Sequence, residues 1–241
     1  AQASAIEKGA KEFPKTRFAI IDMVVMQPNV ASIVFKEHEG SFLVGLLAAM
    51  ASKTGKVGFI GGMDIPLIRR FECGYYHGVK HANSSATVYA NMTGTTPAAW
   101  NDPTKGAELA KSQFDRGADV VFAAAGGTGI GVYQAAKDNG KYAIGVDSNQ
   151  NYLHPGTMLT SMLKRVDVAA YNVFKSANDG SWKSGIQVLG LKEGGIDWAL
   201  DEHNKNLISP AMKAAVEKAK ASIIAGEITV HDYMSNNKCP K

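Results

Sequence analysis

Several short apolar runs in this chain end in acidic residues or paired glycines. Asp22 closes RFAIID, Gly61-Gly62 close KVGFIGG, Gly126-Gly127 follow DVVFAAA, and Asp147 closes YAIGVD. If these runs are parallel strands, their ends share the sheet edge at which open α/β proteins bind ligands. Glycines let a ligand approach backbone N–H groups, and carboxylates accept hydrogen bonds from hydroxyls. The pattern predicts a site for a neutral polyhydroxylated or heterocyclic molecule.

Each of these features also has a purely structural interpretation. The glycine-rich loop at 126–131 departs from the G-x-G-x-x-G dinucleotide pattern, because Val132 stands in the place of the last glycine. A tight strand-to-helix turn explains this loop as well as a ligand contact does. An acid that ends a strand is often a helix cap or a solvated turn. The aromatic residues Phe35, Phe42 and Trp100 are more typical of a core than of a ligand platform.

Sequence motifs for catalysis are absent. The sequence has no G-x-S-x-G, Walker A, H-E-x-x-H or kinase pattern, and Glu37 and Glu39 flank His38 without a positioned nucleophile. The six histidines are scattered through polar or helical contexts. We therefore expect a protein that is not an enzyme and that has neither a cofactor nor a metal site.

Charge and hydropathy argue against two broad classes of protein. The 241 residues include 26 basic and 22 acidic side chains, which are interspersed and give a net charge of +4. Binding to nucleic acid needs clustered Lys and Arg, so we expect no nucleic-acid partner. The longest apolar stretch, 42–51, contains Gly45 and falls short of the ~18 apolar residues of a membrane span, which favours a buried helix.

The cysteines and the start of the chain say little about its location. Cys73 on a predicted helix and Cys239 in a polar tail leave a single disulfide open, but the absence of C-x-x-C or metal-type spacing favours two unpaired thiols. The segment from Ala1 to Ser4 is not a signal peptide because no apolar segment follows it. We expect a processed or truncated chain.

Strand-like runs alternate with amphipathic helical patterns along almost the whole chain. The predicted strands are 17–22, 31–35, 56–62, 86–91, 119–125, 142–147, 158–163 and, as the last strand, 186–191. The predicted helices are 41–52, 66–82, 103–116, 130–139, 166–178 and 210–225, with Asp102 as the N-cap of the third. Apolar strands separated by helices indicate an α/β fold with parallel sheets covered on both faces. The turn at 52–55 and Lys164-Arg165 are candidate crossovers between two lobes.

Segments spread over the chain resemble the basic membrane protein family, also called the purine nucleoside receptor lipoproteins. They occur in family order and at family-like spacing: FKEHEGSFLVG at 35–45, KTGKVGFIGG at 53–62, F-x-x-G-x-x-x-G-V-K at 71–80, WNDPTKG at 100–106, GADVVFAAAGGTGIG at 117–131, IGVDSNQ at 144–150 and TSMLKRVD at 160–167. The resemblance implies a type I periplasmic-binding-protein fold with two Rossmann-like lobes joined by a hinge.

The resemblance also implies a function. Family members are solute-binding components of ABC importers that bind purine nucleosides such as guanosine, inosine or adenosine. They are periplasmic or lipid-anchored at the outer face of the bacterial inner membrane. For this chain the implied partners are a purine nucleoside and a membrane permease, and we expect a monomer. The implied ligand-binding residues are Asp22, Phe35, Glu39, Gly126, Gly127, Asp147, which would hold ribose hydroxyls, and Lys164, which would assist beside the hinge.

The expected lobes follow from the same resemblance. Residues 1–54 form the first lobe, 55–163 the second lobe, 164–184 a helix that returns to the first lobe, and 185–241 the last strand and the C-terminal helix. Family members begin with a strand, a Ser-Phe-Asn loop and a helix ahead of anything that matches Ala1. We therefore expect the first lobe to lack an aromatic stack and polar base contacts.

Three other functions stay open. A sugar-binding protein and the effector domain of a transcription regulator share this fold, and a nucleotide-dependent oxidoreductase would also suit alternating strands and helices. The missing dinucleotide fingerprint argues against the oxidoreductase.

Overall fold

The computed structural model describes residues 2–241 and contains two β-sheets of unequal size. The smaller sheet has the order β1-β2-β8 and the larger has the order β4-β3-β5-β6-β7-β9. In chain order the strands are β1 (Phe18–Ile21), β2 (Val30–Phe35), β3 (Lys56–Met63), β4 (Thr87–Gly94), β5 (Val120–Ala124), β6 (Tyr142–Asp147), β7 (Met158–Lys164), β8 (Gly185–Leu189) and β9 (Ile196–Trp198). The helices are α1 (Gln2–Glu12), α2 (Glu37–Ala51), α3 (Pro66–Ala82), α4 (Pro103–Asp115), α5 (Gly129–Asp138), α6 (Val166–Asp179) and α7 (Pro210–Ile224).

The larger sheet is parallel except at one edge. Every residue of β5 is buried, as expected for a strand covered on both faces. The predicted parallel arrangement is confirmed for β3 to β7. β9 pairs with β7 in the antiparallel direction, so the prediction that 186–191 is the last strand is wrong. The three residues of β9 are too few to give a periodic signal in the sequence.

The N-caps of α4 and α7 are encoded in the local sequence. Asp102 is the N-cap of α4, and its Oδ1 accepts a hydrogen bond from Lys105 N at 2.9 Å while Pro103 occupies the first turn. Ser209 caps α7 in the same way and also precedes a proline. Both helix starts are therefore encoded locally, by an oxygen that satisfies a free N–H and a proline that has none to satisfy.

Glycines let α2 and α3 pack backbone against backbone. A Cβ on Gly74 would clash with the main chain of His38, and one on Gly78 would clash with the main chain of Phe42. Gly45 of α2 faces the Tyr75 carbonyl in the same way. This close approach explains the paired glycines of 71–80, and it brings the start of α2 beside Arg70 of α3.

The turn at 52–55 does not cross between the sheets, so that predicted crossover is wrong. Ser52 Oγ and Lys53 N donate to the carboxylate of Asp119, at 2.5 and 2.7 Å, and Asp119 immediately precedes β5. α2 packs on α3 and on β7 and β9 of the larger sheet. We propose that the lobe boundary lies at Lys36, where β2 ends and α2 begins, rather than after residue 54.

The other connections between the sheets lie close to Lys36. Lys36 N donates to Leu189 O at 3.0 Å, which joins the ends of β2 and β8. Lys164 and Arg165 link β7 to α6, and Ala177 of that helix accepts a hydrogen bond from Arg17 at 3.1 Å, next to β1. The chain returns to the larger sheet between β8 and β9. Three adjacent connecting segments therefore join the two lobes.

The cysteines are bonded to each other. Cys73 of α3 and Cys239 form a disulfide with a Cα–Cα distance of 5.6 Å across 166 residues of sequence, so the expectation of two unpaired thiols is wrong. The C-terminal tail folds back along α3, which no local pattern indicates. Within residues 2–241, none of the helices combines the length and apolar character that crossing a membrane requires.

Candidate functional site

The ends of strands from both lobes enclose a cavity of about 230 Å³. Its charged lining residues are Asp22 after β1, Asp147 at the end of β6 and Lys164 at the end of β7. Its apolar and backbone lining includes Leu67, Ile68, Phe71, Trp100 and Gly126. A second cavity of about 410 Å³ shares Asp147 and Lys164 and continues past Asn149 and Asp167. The two form one cleft with a mixed polar and apolar surface.

Asp22 and Asp147 have the same unusual backbone conformation. Their φ angles are +67° and +66°, in the left-handed region that residues other than glycine seldom adopt. Aspartate tolerates this region better than most residues because its short side chain can bond locally. Such strain persists only where the surrounding structure enforces it, and it is concentrated at functional sites. Each turn places its carboxylate in the cleft.

Within residues 2–241, only one of the two carboxylate oxygens of Asp22 has a hydrogen-bond partner. Its Oδ2 accepts a hydrogen bond from Lys164 Nζ at 2.6 Å. Its Oδ1 is buried and has no hydrogen-bond partner within residues 2–241. A buried polar oxygen without a partner is costly, so this atom is a ready acceptor for a hydroxyl or an N–H of a ligand.

Asp147 is open to solvent although protein surrounds it on most sides. This partial desolvation raises the pKa of its carboxyl, the Lys164 ammonium lowers it, and the charge of Asp22 raises it again. The net effect is a raised pKa. Two acids of different lobes therefore face one another across the cleft with a single lysine between them.

Lys164 is buried and held by acids. Its Nζ lies 2.6 Å from Asp22 Oδ2, 3.4 Å from Glu37 Oε1 and 5.4 Å from the centre of the Phe35 ring. Burial disfavours its charge, but the carboxylates of Glu37, Asp147 and Asp22 outweigh that cost and raise the pKa of Lys164. The ammonium is therefore a fixed positive charge at the floor of the cleft.

An ion-pair chain continues from Lys164 along a neighbouring cavity of about 290 Å³ that shares Asp22 with the cleft. Glu37 is fully buried, and its second oxygen accepts a hydrogen bond from Arg70 Nη1 at 2.9 Å. Arg70 also donates to both oxygens of Asp232, at 2.8 and 2.7 Å. Burial raises the pKa of Glu37 more than Lys164 and Arg70 lower it.

Trp100 forms one wall of the cleft, and the glycines around it serve its packing. A Cβ on Gly62 would clash with the indole ring, so the glycine at the end of β3 makes room for Trp100 rather than for a ligand. Thr128 Oγ1 donates to Ala99 O at 2.8 Å and accepts from Asp102 N at 2.8 Å. These two bonds fix the Trp100 loop to the turn that contains Gly126.

The cleft brings together four of the seven residues expected to bind ligand, namely Asp22, Gly126, Asp147 and Lys164. Phe35 is buried beneath Lys164, and Gly127 lies against Asn101 rather than on the wall of the cavity.

Glu39 lies away from the cavity. Its Oε2 accepts a hydrogen bond from Leu191 N at 2.9 Å, and its Oε1 lies 3.2 Å from Lys36 Nζ. The binding role of each of the seven residues stays a prediction.

Sequence reasoning missed the apolar wall and the ion-pair chain. Leu67, Ile68 and Phe71 lie in the first turns of α3, and apolar residues on a predicted helix indicate core packing rather than a ligand site. Glu37 precedes His38 in the sequence, and no local pattern indicates that it pairs with Lys164. Nothing in the local sequence of Asp232 indicates that it meets Arg70, 162 residues earlier.

Comparison with known proteins identifies the family. The model of the Bmp family, described as ABC transporter substrate-binding protein PnrA-like, matches residues 1–233. The chain belongs to this family. The match confirms the resemblance to the basic membrane proteins that the motifs between 35 and 167 carry.

Relatives and solved structures agree with this membership. The chain is 37% identical to the ABC transporter nucleoside-binding protein BmpA of Lactococcus lactis over 94% of its own length and 67% of that protein. It is 37% identical to Basic membrane protein D of Borreliella burgdorferi over 92% of its own length and 66% of that protein, so it spans about two thirds of these relatives. A solute-binding protein of an ABC transporter system from Aeropyrum pernix superposes with a TM-score of 0.86 and 31% identity, covering 98% of this chain and 76% of that one. The expected α/β periplasmic-binding fold is confirmed.

Proposed function

We propose that this chain binds a purine nucleoside between its two lobes and presents it to the permease of an ABC importer. The observation that carries the proposal is the pair of strand-end aspartates, Asp22 and Asp147, around Lys164 in a cleft with an apolar wall. The cavities of about 230 and 410 Å³ together fall within the roughly 300–1,000 Å³ of ordinary small-molecule sites. The name of the Lactococcus relative as a nucleoside-binding protein supports this ligand class.

The chemistry of a nucleoside suits this cleft. The ribose offers two adjacent hydroxyls, which one carboxylate can accept together, and Asp147 is the acid open to them. The flat heterocycle can stack on an aromatic side chain, and Trp100 is a half-buried aromatic residue of the wall. We propose a binding function for these residues without a catalytic step.

Location and partners follow from the family. A substrate-binding protein of an ABC transporter works on the outer side of the membrane, so we propose an extracytoplasmic site, free in the periplasm or anchored by lipid. The proposed protein partner is the cognate permease, and the proposed assembly state is a monomer.

A thermal-shift screen tests the ligand class. Guanosine, inosine and adenosine should raise the melting temperature, in the order of their affinities, because a ligand that binds only the folded state stabilises it by mass action. Ribose and glucose are the controls for a sugar-binding protein. If sugars shift the transition and nucleosides leave it unmoved, the nucleoside proposal is wrong.

The regulator alternative has its own test. An effector domain would respond to the same ligands but would act on DNA through another part of its protein. A gel-shift assay of the complete gene product with upstream DNA separates the two functions. Retarded DNA whose mobility changes with nucleoside would favour the regulator.

A further inference from the structure

Arg70 connects three separate segments of the chain. Its Nη1 donates to Phe35 O at 2.7 Å, at the end of β2, and to Glu37 Oε2 at 2.9 Å, at the start of α2. Its Nε and Nη2 donate to the two oxygens of Asp232 in the C-terminal tail. The planar guanidinium makes such a two-pronged contact with fixed geometry, which an ammonium cannot. Arg70 therefore fixes one of the connections between the lobes to the tail.

Glu37 transmits the position of Arg70 to the cleft. Its side chain is 0% exposed and lies between two cations, Arg70 at 2.9 Å and Lys164 at 3.4 Å. A buried charge must be paired, so loss of either cation makes Glu37 depend wholly on the other. Without Arg70, Glu37 would draw Lys164 away from Asp22 and from the cavity.

The tail is also held in place after this contact. Cys239 is bonded to Cys73, which lies one helical turn after Arg70 on α3. Met234 N donates to Asp232 Oδ1 at 2.9 Å, which closes a turn around the carboxylate. The Arg70 guanidinium lowers the pKa of Asp232 against the effect of burial, so the acid is charged at neutral pH.

We propose that Arg70 is a positioning residue through which the disulfide-anchored C-terminal tail sets the place of Lys164 in the ligand cleft. The inference rests on the proposed function, since it extends the proposed nucleoside site to an ion pair that lines a neighbouring cavity and lies outside the lining of the 230 Å³ cavity. Its elements are the Asp232–Arg70 pair, the buried Glu37 and the Lys164 ammonium.

The neighbouring arginine supplies a matched control. Arg69 also makes a two-pronged contact with an aspartate, donating to Asp64 at 2.8 and 2.7 Å, and it pairs with Glu72 at 2.7 Å. It lies on the same helix and in the same sequence context as Arg70. Its side chain is 34% exposed, against 12% for Arg70, and it pairs with Asp64 and Glu72 rather than with Glu37.

The first test compares nucleoside affinity in two pairs of variants. Calorimetry with the nucleoside that the parent binds best should show about a tenfold loss of affinity for Arg70→Gln. The displaced Lys164 would lose one charge-assisted hydrogen bond to the ligand, and a bond of that kind is worth about this factor. Asp232→Asn should lose less, about threefold, because it keeps one acceptor and the shape of the side chain. Arg69→Gln and Asp64→Asn should bind as the parent does. Parent-like affinity in both Arg70→Gln and Asp232→Asn would overturn the proposal.

A double-mutant cycle separates positioning from general loosening of the fold. If the tail acts through Lys164, Asp232→Asn should cost nothing further once Lys164 is replaced by Gln. An equal loss of affinity in both backgrounds would show a structural role only and would refute the inference. Arg70→Lys keeps the positive charge but cannot make the two-pronged contact with Asp232. This variant should therefore fold as the parent does and still bind the nucleoside more weakly.

A measurement without ligand keeps the two proposals distinguishable. Hydrogen exchange should be faster at the amides of 36–39 and 164–166 in Asp232→Asn than in the parent, and unchanged in Asp64→Asn. If the parent binds no nucleoside, the proposed function fails while this measurement still tests the positioning role. Equal protection of these amides in the parent and Asp232→Asn would overturn it.

Discussion

Asp22 and Asp147 hold equivalent places in the two lobes. Each stands at the carboxyl end of a parallel strand, each adopts a positive φ near 66°, and each lines the same cavity. The difference between them is their pairing. One oxygen of Asp22 accepts a hydrogen bond from Lys164, whereas Asp147 interacts with that lysine only electrostatically. We therefore expect Asp22 to orient Lys164 through Oδ2 and to offer only Oδ1 to the ligand, whereas Asp147 offers both of its oxygens.

Replacing Asp147 tests this division of roles. Asp147→Ala should weaken nucleoside binding more than tenfold, since two hydrogen bonds to a charged acceptor are lost, each worth about 1.5–3 kcal/mol. The melting temperature should change little, because the side chain is open to solvent. A 2′-deoxynucleoside should lose less than the ribonucleoside does, as one hydroxyl is already absent. Parent-like affinity of Asp147→Ala, measured by calorimetry, would return this acid to the role of a turn residue.

The pKa of Asp147 predicts how binding depends on pH. Burial raises this pKa above 3.8, and only the ionised form accepts from both hydroxyls. A proton therefore competes with the ligand, so affinity should be constant near neutral pH and fall as the pH drops through the raised pKa. Lys164 stays protonated over this range because its pKa is raised above 10.5. The difference between the parent and Asp147→Asn in pH-dependent calorimetry isolates the effect, and identical profiles would contradict it.

At the scale of elements, the end of β3 and the loop before α4 form one wall of the site. Gly62→Ala should displace the Trp100 ring, at a cost of about 1–3 kcal/mol for overpacking, and should weaken nucleoside binding. Gly94→Ala on the adjacent β4 is the control, because its new methyl would lie 3.4 Å from Ala99 Cβ, an ordinary contact. Urea unfolding and calorimetry on both variants measure the two effects. Equal behaviour of the two variants would show that Trp100 does not depend on Gly62.

The elements that could be predicted are those whose signals are local. The helix at 66–82 was predicted to the residue, because Pro66 begins it and its apolar positions recur with helical spacing. α2 begins at Glu37, four residues before the predicted start, because Glu37, His38 and Glu39 are polar residues in buried positions. Hydropathy does not reveal a helix turn that is buried through ion pairs and hydrogen bonds.

The site divides in the same way. Strand-end acids could be predicted, because the carboxyl ends of parallel strands meet at one edge whatever the details of packing. The Arg70–Asp232 contact and the disulfide depend on the path of the tail over α3, which is fixed by tertiary structure. Gly61-Gly62 suggested a ligand contact, yet the space at Gly62 is filled by Trp100.

At the scale of the whole molecule, the disulfide anchors the tail to α3. Its 166-residue separation restricts the unfolded chain, so Cys73→Ala/Cys239→Ala should lower the free energy of unfolding by about 2–5 kcal/mol. A dithiol reductant should destabilise the parent by a similar amount and leave the cysteine-free variant unaffected. Urea denaturation with and without reductant measures both. If the parent is as stable in reductant as without it, the disulfide contributes nothing to the fold.

The three connections between the lobes predict a closing motion. They lie side by side at Lys36, at Lys164-Arg165 and between β8 and β9, and the cleft opens on one side of them. Rotation about a few such residues brings the two ends of a cleft together without disturbing either core. A nucleoside that contacts Asp22 on one lobe and Asp147 on the other favours the closed form, because only that form makes both contacts.

Small-angle scattering should therefore show a smaller radius of gyration at saturating nucleoside. Asp147→Ala at the same nucleoside concentration is the control and should stay at the larger radius. An unchanged radius in a parent that calorimetry shows to be saturated would mean that the cleft binds its ligand without closing.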